Sequence, residues 1–122
     1  MATTPQSRKA RGRRLQQYVA KAVRDLFDLH DRDVRSAPMG TGGMDVVLSE
    51  KASCLWPYAC ECKNTERLDL WGSWEQAKAN SEELSPLLVV KRNRSDTLAV
   101  IEFGRFMEIL DEQRTKGVNR RD

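Results

Sequence analysis

Four consecutive apolar residues, Leu87–Val90, constrain the fold of this 122-residue chain more than any other stretch. A run without polar alternation is typical of a strand that is covered on both faces. Apolar residues also recur at helical spacing over three segments, at about 11–29, 70–80 and 104–112. We therefore expect helices on the faces of a central sheet, which is the α/β class.

Turn-forming segments separate the other predicted strands. The glycine-rich stretch 38–43 predicts a loop, and 50–53 predicts a turn. The five strands are expected at 34–37, 44–49, 55–63, 87–90 and 97–103. The order is helix, three strands, helix, two strands, helix, which predicts a single domain with a central mixed five-stranded sheet flanked by helices.

Apolar spacing also predicts which helix faces point inward. For the first helix these residues are Leu15, Tyr18, Val19, Ala22, Val23, Leu26 and Phe27, and for the second they are Leu70, Trp71, Trp74 and Ala77. The folded domain would span 11–112. A flexible basic arm, 1–10, would precede it and a basic tail, 113–122, would follow.

Charge is concentrated at the ends of the chain. Residues 1–14 hold five Lys or Arg and no acid, and residues 113–122 hold four Lys or Arg and one acid. Because the whole chain carries only +3, its middle is net acidic. Basic ends suit binding of a polyanionic backbone, although basic tails can also simply keep a small domain in solution.

Cysteine number and hydropathy set the expected compartment. Cys54, Cys60 and Cys62 are odd in number and lack Cys-x-x-Cys spacing, which argues against a disulfide framework and a structural zinc site. No apolar run approaches the ~18 residues of a membrane span, and the N-terminus lacks an apolar signal core. We therefore expect a cytoplasmic protein with no membrane partner.

The stretch Tyr58–Lys63 carries the candidate chemistry. Because strand side chains alternate, Glu61 and Lys63 share one face and the two cysteines share the other. Asp45 opens the preceding strand, so Asp45 and Glu61 could bind Mg²⁺ with the Cys62 carbonyl as a further oxygen ligand. Such an ion would activate water for phosphodiester cleavage, with Lys63 stabilising charge on the phosphate. Taken alone, the same triplet also fits a solvent-exposed charge pair.

These motifs, in this order, resemble the PD-(D/E)xK nuclease superfamily. The stretch Gly-Gly-Met-Asp45-Val-Val is followed by Cys-Glu61-Cys-Lys63, with Arg11-Gly12 before the first helix and Arg35-Ser36-Ala37 before the glycine loop. Over about residues 11–110 the layout is similar to the small archaeal-type and phage-type Holliday junction resolvases. The resemblance implies a restriction-endonuclease-like fold, hydrolysis with Mg²⁺ (for which Mn²⁺ should substitute), and a homodimer that nicks four-way DNA junctions in a bacterial, archaeal or phage-infected cell.

The resemblance also implies roles for individual residues. Asp45 and Glu61 would be metal ligands, Lys63 the catalytic lysine, and Ser36 would match a serine near the resolvase site. The resolvases carry a glutamate four residues after the glycine of the first helix, where this chain has Gln16. Gln16 could order a metal-bound water but supplies no charge. Gln76 resembles a polar residue that related nucleases carry on the helix after the lysine, and an exposed glutamine is the alternative.

Basic residues in three places are candidate phosphate contacts. They are Arg8, Lys9, Arg11, Arg13, Arg14, Arg35, Lys91, Arg92 and Arg94. Simple solvation of the turn 91–96 is the alternative. His30 is the only histidine, which excludes a metal site built from several histidines.

Three functions remain open. The leading prediction is a junction-resolving endonuclease that recognises DNA by charge and shape. Another nuclease of the same superfamily, with nicking, restriction-type or repair activity, would use the same residues. A non-catalytic nucleic-acid-binding protein would need only the basic residues.

Overall fold

The structure, a computed structural model, describes the backbone of residues 4–121 and the side chains of residues 4–117. Its elements are α1 (Pro5–Phe27), β1 (Val34–Ser36), β2 (Val46–Leu48), α2 (Glu50–Leu55), β3 (Tyr58–Asn64), α3 (Leu70–Ala79), β4 (Ser85–Lys91), β5 (Leu98–Val100) and α4 (Phe103–Arg121). The α/β class and the five strands are confirmed. Residues 1–3 of the predicted arm and residue 122 of the predicted tail lie outside the described residues.

Helix α1 begins before the predicted residue 11. The Thr4 hydroxyl accepts a hydrogen bond from the Ser7 N–H at 3.0 Å and caps the helix. Pro5 takes the first helical position, where its missing N–H costs nothing. Most of the predicted arm is therefore helical. At the other end of the chain, α4 also runs beyond the predicted residue 112.

The strands form two sheets, so the prediction of one five-stranded sheet is wrong. Strands β1 and β2 make an antiparallel hairpin with Ser36 opposite Val46. Strand β4 lies at the centre of the other sheet, parallel to β3 and antiparallel to β5. Helix α3 makes the crossover between β3 and β4, which parallel pairing requires.

Helix α2 connects β2 to β3, and these two strands meet at one point only. The Ser49 hydroxyl accepts from the Ala52 N–H at 3.1 Å and caps a short helix where a turn was predicted. Ala52 is fully buried against the core. The two strands meet through one backbone hydrogen bond, from the Asp45 N–H to the Cys60 carbonyl at 3.0 Å. The Cys62 N–H, the next donor on this edge of β3, is bound by the Asp45 side chain at 2.7 Å and not by a backbone carbonyl of β2.

The core lies between α1 and the strands, and it uses a narrower face of α1 than the one predicted. That face consists of Leu15, Gln16, Val19, Ala20 and Val23. Tyr18 and Leu26, predicted to point inward, are exposed by 62% and 73%. The predicted seven-residue stripe is wider than the surface that two small sheets can cover.

Two further helix faces stay uncovered. On α3, Ser73 and Ala77 are buried, whereas Trp71, predicted to point inward, is 75% exposed. On α4, four apolar residues at helical spacing are exposed: Phe103, Phe106, Met107 and Leu110. Helix α4 is attached through Arg105, which donates to the Tyr58 hydroxyl at 3.2 Å.

Candidate functional site

Asp45 sits where the two sheets meet, immediately before β2. Its carbonyl accepts from the Ala37 N–H at 2.8 Å, and its N–H donates to the Cys60 carbonyl at 3.0 Å. Its side chain then accepts from the Cys62 N–H at 2.7 Å. Backbone contacts on both sides therefore fix the carboxylate against the edge of β3. The carbonyl and N–H of one strand residue point to the same edge, so the Cys62 carbonyl also lies on the side of Asp45.

Glu61 is a buried carboxylate on the neighbouring strand. It is only 4% exposed, although a charged side chain is rarely buried without a partner. The Lys63 Nζ lies 3.8 Å from its Oε1, and the Asn80 side-chain amide donates to its Oε2 at 3.5 Å. The alternation of β3 thus places Glu61 and Lys63 on one face, as the sequence predicts.

The two carboxyl groups perturb each other. Burial, opposed by the hydrogen bond from the Cys62 N–H, raises the pKa of Asp45. Burial first, and then the negative charge of Asp45, raises the pKa of Glu61. The pair is close enough to share a hydrogen bond when Glu61 is protonated. The fold therefore holds Asp45 and Glu61 close together, although this position disfavours the ionised form of each carboxyl group.

Cys60 and Cys62 lie on the opposite face of β3 from Glu61, as predicted, and both pack in the core. The Cys60 and Cys62 sulfurs are 3.8 Å apart. The contact with Cys60 and burial raise the pKa of the Cys62 thiol well above its ordinary range. Because only a thiolate is a good nucleophile or metal ligand, the Cys62 side chain is structural, and Cys62 can contribute to the site only through its backbone.

Ser36 and Gln16 are placed on elements that contact the strands of the site. Ser36 is half-buried and pairs with Val46, the residue after Asp45. Gln16 is 5% exposed on α1, and its buried Oε1 has no hydrogen-bond partner among the described residues. Helix α1 is fixed beside the end of β3 at Arg11, because the Asn64 amide donates to the carbonyl of that residue at 3.2 Å.

On α3, the contact with Glu61 comes from Asn80 and not from Gln76. The Gln76 side chain is exposed, and no hydrogen bond of its side chain occurs within the described part of the chain. Asn80 lies one helical turn further on and caps the end of α3. A lone asparagine at a helix end carries no periodic signal, so the sequence did not point to it.

Several candidate phosphate contacts converge beyond the end of β3. Arg11 and Arg14 line a cavity together with Asn64 and Lys91. The Arg11 guanidinium donates to the Asn93 side chain at 3.3 Å, which ties α1 to the basic turn after β4. Basic residues from two distant segments thus share one surface.

The other candidate contacts are spread more widely. Arg8, Lys9 and Arg13 are exposed on α1, and Arg94 is exposed in the turn with a positive φ of 59°. Arg35 is exposed on the β1–β2 hairpin.

The oxygen atoms of the site fit a hard divalent cation. Mg²⁺ is usually held by one or two carboxylates, with water and substrate phosphate completing its shell. Asp45 and Glu61 offer two carboxylates whose mutual repulsion a cation would relieve. Among residues 4–117, no cluster of three or more His, Cys, Asp or Glu could hold a metal ion. The donor set therefore suits an ion that keeps part of its water, and not one enclosed by the protein.

Comparison with known proteins gives no relative: no protein-family model, curated protein or solved structure matches the chain. Within the described residues, no helix combines the length and the apolarity needed to cross a membrane.

Proposed function

We propose that this protein is a Mg²⁺-dependent DNA endonuclease that acts on branched DNA, most specifically on four-way junctions. The observation that carries the proposal is the convergence of Asp45 and the buried Glu61 from separate strands, with the Lys63 ammonium 3.8 Å from Glu61. Two acids with raised pKa values beside a lysine lower the stability of the fold, because each ionised carboxylate loses hydration on burial. Such groups are more typical of a functional site than of a structural contact.

Each residue has a role that follows from its contacts. Asp45 and Glu61 would hold the cation, which when bound polarises the phosphate and lowers the pKa of its water. The Cys62 N–H orients Asp45, and Asn80 orients Glu61. Lys63, still 31% exposed, can reach from Glu61 toward a substrate phosphate and stabilise the charge that develops there.

Backbone charge would dominate recognition of the DNA. The surface that joins Arg11 and Arg14 to Lys91 is positive and lies beyond the same strand end that carries Lys63. Lys and Arg contacts to phosphate supply affinity without reading base sequence. Selection of a branched substrate would then come from the shape of the surface.

A homodimer would place two such sites on one junction. The uncovered face of α4 supports this part of the proposal. Phe103, Phe106, Met107 and Leu110 recur at i, i+3, i+4 and i+7, which makes one apolar stripe, and each is at least 41% exposed. An apolar stripe of this kind is typical of an interaction surface. A second copy, which would act in the same cytoplasmic compartment, is the partner we propose for it.

One observation favours a non-catalytic DNA-binding function instead. The chain has Gln16 where the resolvases would have a further acid, so Asp45 and Glu61 are the two negative charges that the site offers to a cation. Weak cation binding would leave the basic surface as the functional part of the molecule. A nicking, restriction-type or repair nuclease would share the same site and differ in substrate.

A cleavage assay separates these functions. The protein is incubated with Mg²⁺ and end-labelled DNA in three forms: a four-way junction, a linear duplex of the same sequence, and a single strand. We expect cuts in the junction that EDTA prevents. Equal cutting of the linear duplex would refute the junction selectivity. Binding of the junction without cleavage, in both Mg²⁺ and Mn²⁺, would refute the enzymatic proposal.

Matched variants assign any activity to the site. Glu61→Gln keeps the size of the side chain and its contact with Asn80 but removes the charge, so cleavage should be lost while junction binding is retained. Glu75→Gln makes the same change on the exposed surface of α3, where it should leave cleavage unchanged. Cleavage by Glu61→Gln at the native rate would place the active site elsewhere.

A further inference from the structure

A cavity of about 470 Å³ opens beside Lys63. It lies within the range of about 300–1,000 Å³ that small-molecule sites occupy. Of the candidate site residues Asp45, Glu61 and Lys63, Lys63 alone lines this cavity. The cavity therefore adjoins the candidate active site without being part of it. The other lining residues are Thr65, Glu66, Leu68, Val90, Lys91, Arg92, Ser95, Asp96 and Leu98.

The position of this cavity in the sheet is typical of a ligand site. Strands β3 and β4 are parallel, with Asn64 opposite Lys91 at their carboxyl ends. Ligands of open α/β sheets bind outside the carboxyl ends of parallel strands, where the following loops diverge. The cavity lies between those two loops, 65–68 and 91–96.

Hydrogen bonds fix both loops in place. The Thr65 N–H donates to the Lys91 carbonyl at 3.0 Å, which extends the ladder between the strands. The Asn93 N–H donates to the Glu66 carboxylate at 3.0 Å and links the two loops directly. Because these contacts exist before any ligand binds, little conformational entropy would be lost on binding.

The cavity combines fixed positive charge with an apolar wall. The Lys91 Nζ donates to the Ser95 carbonyl at 2.8 Å, and the Arg92 Nε donates to the Ser95 hydroxyl at 3.1 Å. Within the described residues, neither cation is paired with a carboxylate, so both keep their charge for a ligand. Leu68 and Leu98 line the same cavity and are exposed by 37% and 58%. A ligand that joins a phosphate to a flat ring would match this combination of positive charge and apolar wall.

We infer that the cavity binds one unpaired nucleotide of the DNA substrate, next to the phosphate that is cut. The phosphate of this nucleotide contacts Lys91 and Arg92, and its base packs against Leu68 and Leu98. The inference builds on the proposed function, since stacking is interrupted at a branch point and a base there leaves its pair at a lower cost than a base within a duplex. A continuous duplex cannot insert a base without unstacking it, which costs a few kcal/mol.

The carboxylates of the cavity give it a base preference. Glu66 and Asp96 line it and accept hydrogen bonds but donate none. Carboxylates pair well with the exocyclic amino group of cytosine, whereas thymine carries a carbonyl at that position. Cytosine should therefore bind more tightly than thymine, although the two rings are of similar size.

A nuclear magnetic resonance titration tests the inference on the full chain. Nitrogen-15-labelled protein in EDTA is titrated with deoxycytidine monophosphate, deoxythymidine monophosphate, deoxycytidine and inorganic phosphate. We expect saturable shifts of the Thr65, Glu66 and Ser95 amides with deoxycytidine monophosphate, and weaker binding of the other three. Shifts that map elsewhere, or equal affinity for inorganic phosphate and the nucleotide, would overturn the inference.

Two matched variants link that binding to the cavity. Leu68→Trp fills the cavity and should weaken nucleotide binding by about tenfold, which is about 1.4 kcal/mol. Leu55→Trp makes the same change on α2 at a comparable exposure, 46% against 37%, and should leave binding unchanged. Equal effects of the two variants would contradict the assignment. If Leu68→Trp is poorly folded, Arg92→Gln, at an exposed lining residue, is a second variant that should weaken binding of deoxycytidine monophosphate.

Two outcomes distinguish this inference from the proposed function. The titration contains no divalent metal and requires no hydrolysis. Nucleotide binding in a protein that cuts no DNA would refute the nuclease and keep the site. DNA cleavage with no response to nucleotides would refute the site alone. A short single-stranded oligonucleotide should displace the mononucleotide, and failure to displace it would show a site for free nucleotides and overturn the inference.

Discussion

Asp45→Asn should make the metal-free protein more stable while it abolishes cleavage. The amide oxygen can still accept from the Cys62 N–H, which is 2.7 Å from Asp45 Oδ2 in the native chain. The negative charge that raises the pKa of Glu61 is removed. The variant therefore keeps the local structure and relieves the repulsion.

The size of the effect follows from the contacts. Two unit charges about 4 Å apart repel by about 4 kcal/mol at an effective dielectric constant of 20. The partners of Glu61 already offset part of that repulsion, and a neutral acceptor weakens the hydrogen bond from Cys62 by about 1 kcal/mol. A net gain of about 1–2 kcal/mol remains, within the range of stabilising substitutions. For a chain of 122 residues this raises Tm by about 4–8 °C.

Thermal unfolding followed by circular dichroism measures this change at neutral pH. In EDTA the variant should unfold at a higher temperature than the native protein. Saturating Mg²⁺ should reverse the order, because an ion at 100 times its Kd stabilises the native protein by about 2.7 kcal/mol. Asp31→Asn, at a fully exposed side chain, is the control and should change stability by less than about 0.5 kcal/mol. Lower stability of Asp45→Asn in EDTA, or equal stabilisation of both proteins by Mg²⁺, would refute the carboxylate pair as a cation site.

Four further predictions concern the lysine, the pH dependence, the basic surface and α4. Lys63→Ala should slow single-turnover cleavage by about 10²–10³-fold with junction affinity within a few-fold, and an unchanged rate would remove the lysine from the reaction. The raised pKa values of Asp45 and Glu61 mean that the folded state binds their protons more tightly. Their contribution to stability is therefore full below the ordinary values of 3.8 and 4.5 and is lost as pH rises through the raised values. Urea unfolding of the metal-free protein should show this decline toward neutral pH, and Glu61→Gln should flatten it; an equal slope in that variant would contradict the assignment. Arg14→Gln should reduce the slope of log affinity against log salt by about 0.9, measured by fluorescence anisotropy, whereas Arg32→Gln should not. Phe106→Glu should convert a dimer to a monomer in sedimentation equilibrium, whereas Thr115→Glu, off the apolar stripe, should not; a native protein that is already monomeric would refute the α4 interface.

Local patterns predicted the strands that carry the site. The alternation of Tyr58–Lys63 correctly separates Glu61 and Lys63 from the two cysteines, and Asp45, predicted to open the second strand, lies immediately before β2. These features depend on neighbours in sequence, where period-two geometry is a reliable guide. The meeting of Asp45 with Glu61 also follows once the two strands are adjacent.

The arrangement of the sheets could not be predicted in the same way. Helix α2 is six residues long, too short for an apolar period, and only the Ser49 cap marks its start. Similarly, the Thr4–Pro5 cap of α1 is a local signal that the polar composition of the N-terminus obscured. The break between the two sheets lies where the Asp45 carboxylate binds the Cys62 N–H in place of a backbone carbonyl, and no sequence period marks such a contact.

Side chains that act across large sequence separations were the least predictable. Asn80 contacts Glu61, and Asn64 contacts Arg11 of α1, yet each is a single polar residue at the end of an element. The burial of Gln16 is equally hidden, because an amphipathic pattern suggests that a glutamine lies outside the apolar stripe. Only the packing of α1 against β3 shows that this side chain is enclosed.

Crystals soaked in Mn²⁺ test most directly whether Asp45 and Glu61 hold the ion on which the proposed chemistry depends. Anomalous scattering from manganese identifies the ion without reference to activity. We predict one peak that contacts the carboxylates of Asp45 and Glu61 at about 2.1–2.2 Å, and that is absent from Asp45→Asn crystals soaked in the same way. A soaked native crystal without that peak, or an unchanged peak in the variant, would contradict the assignment of these two residues as metal ligands.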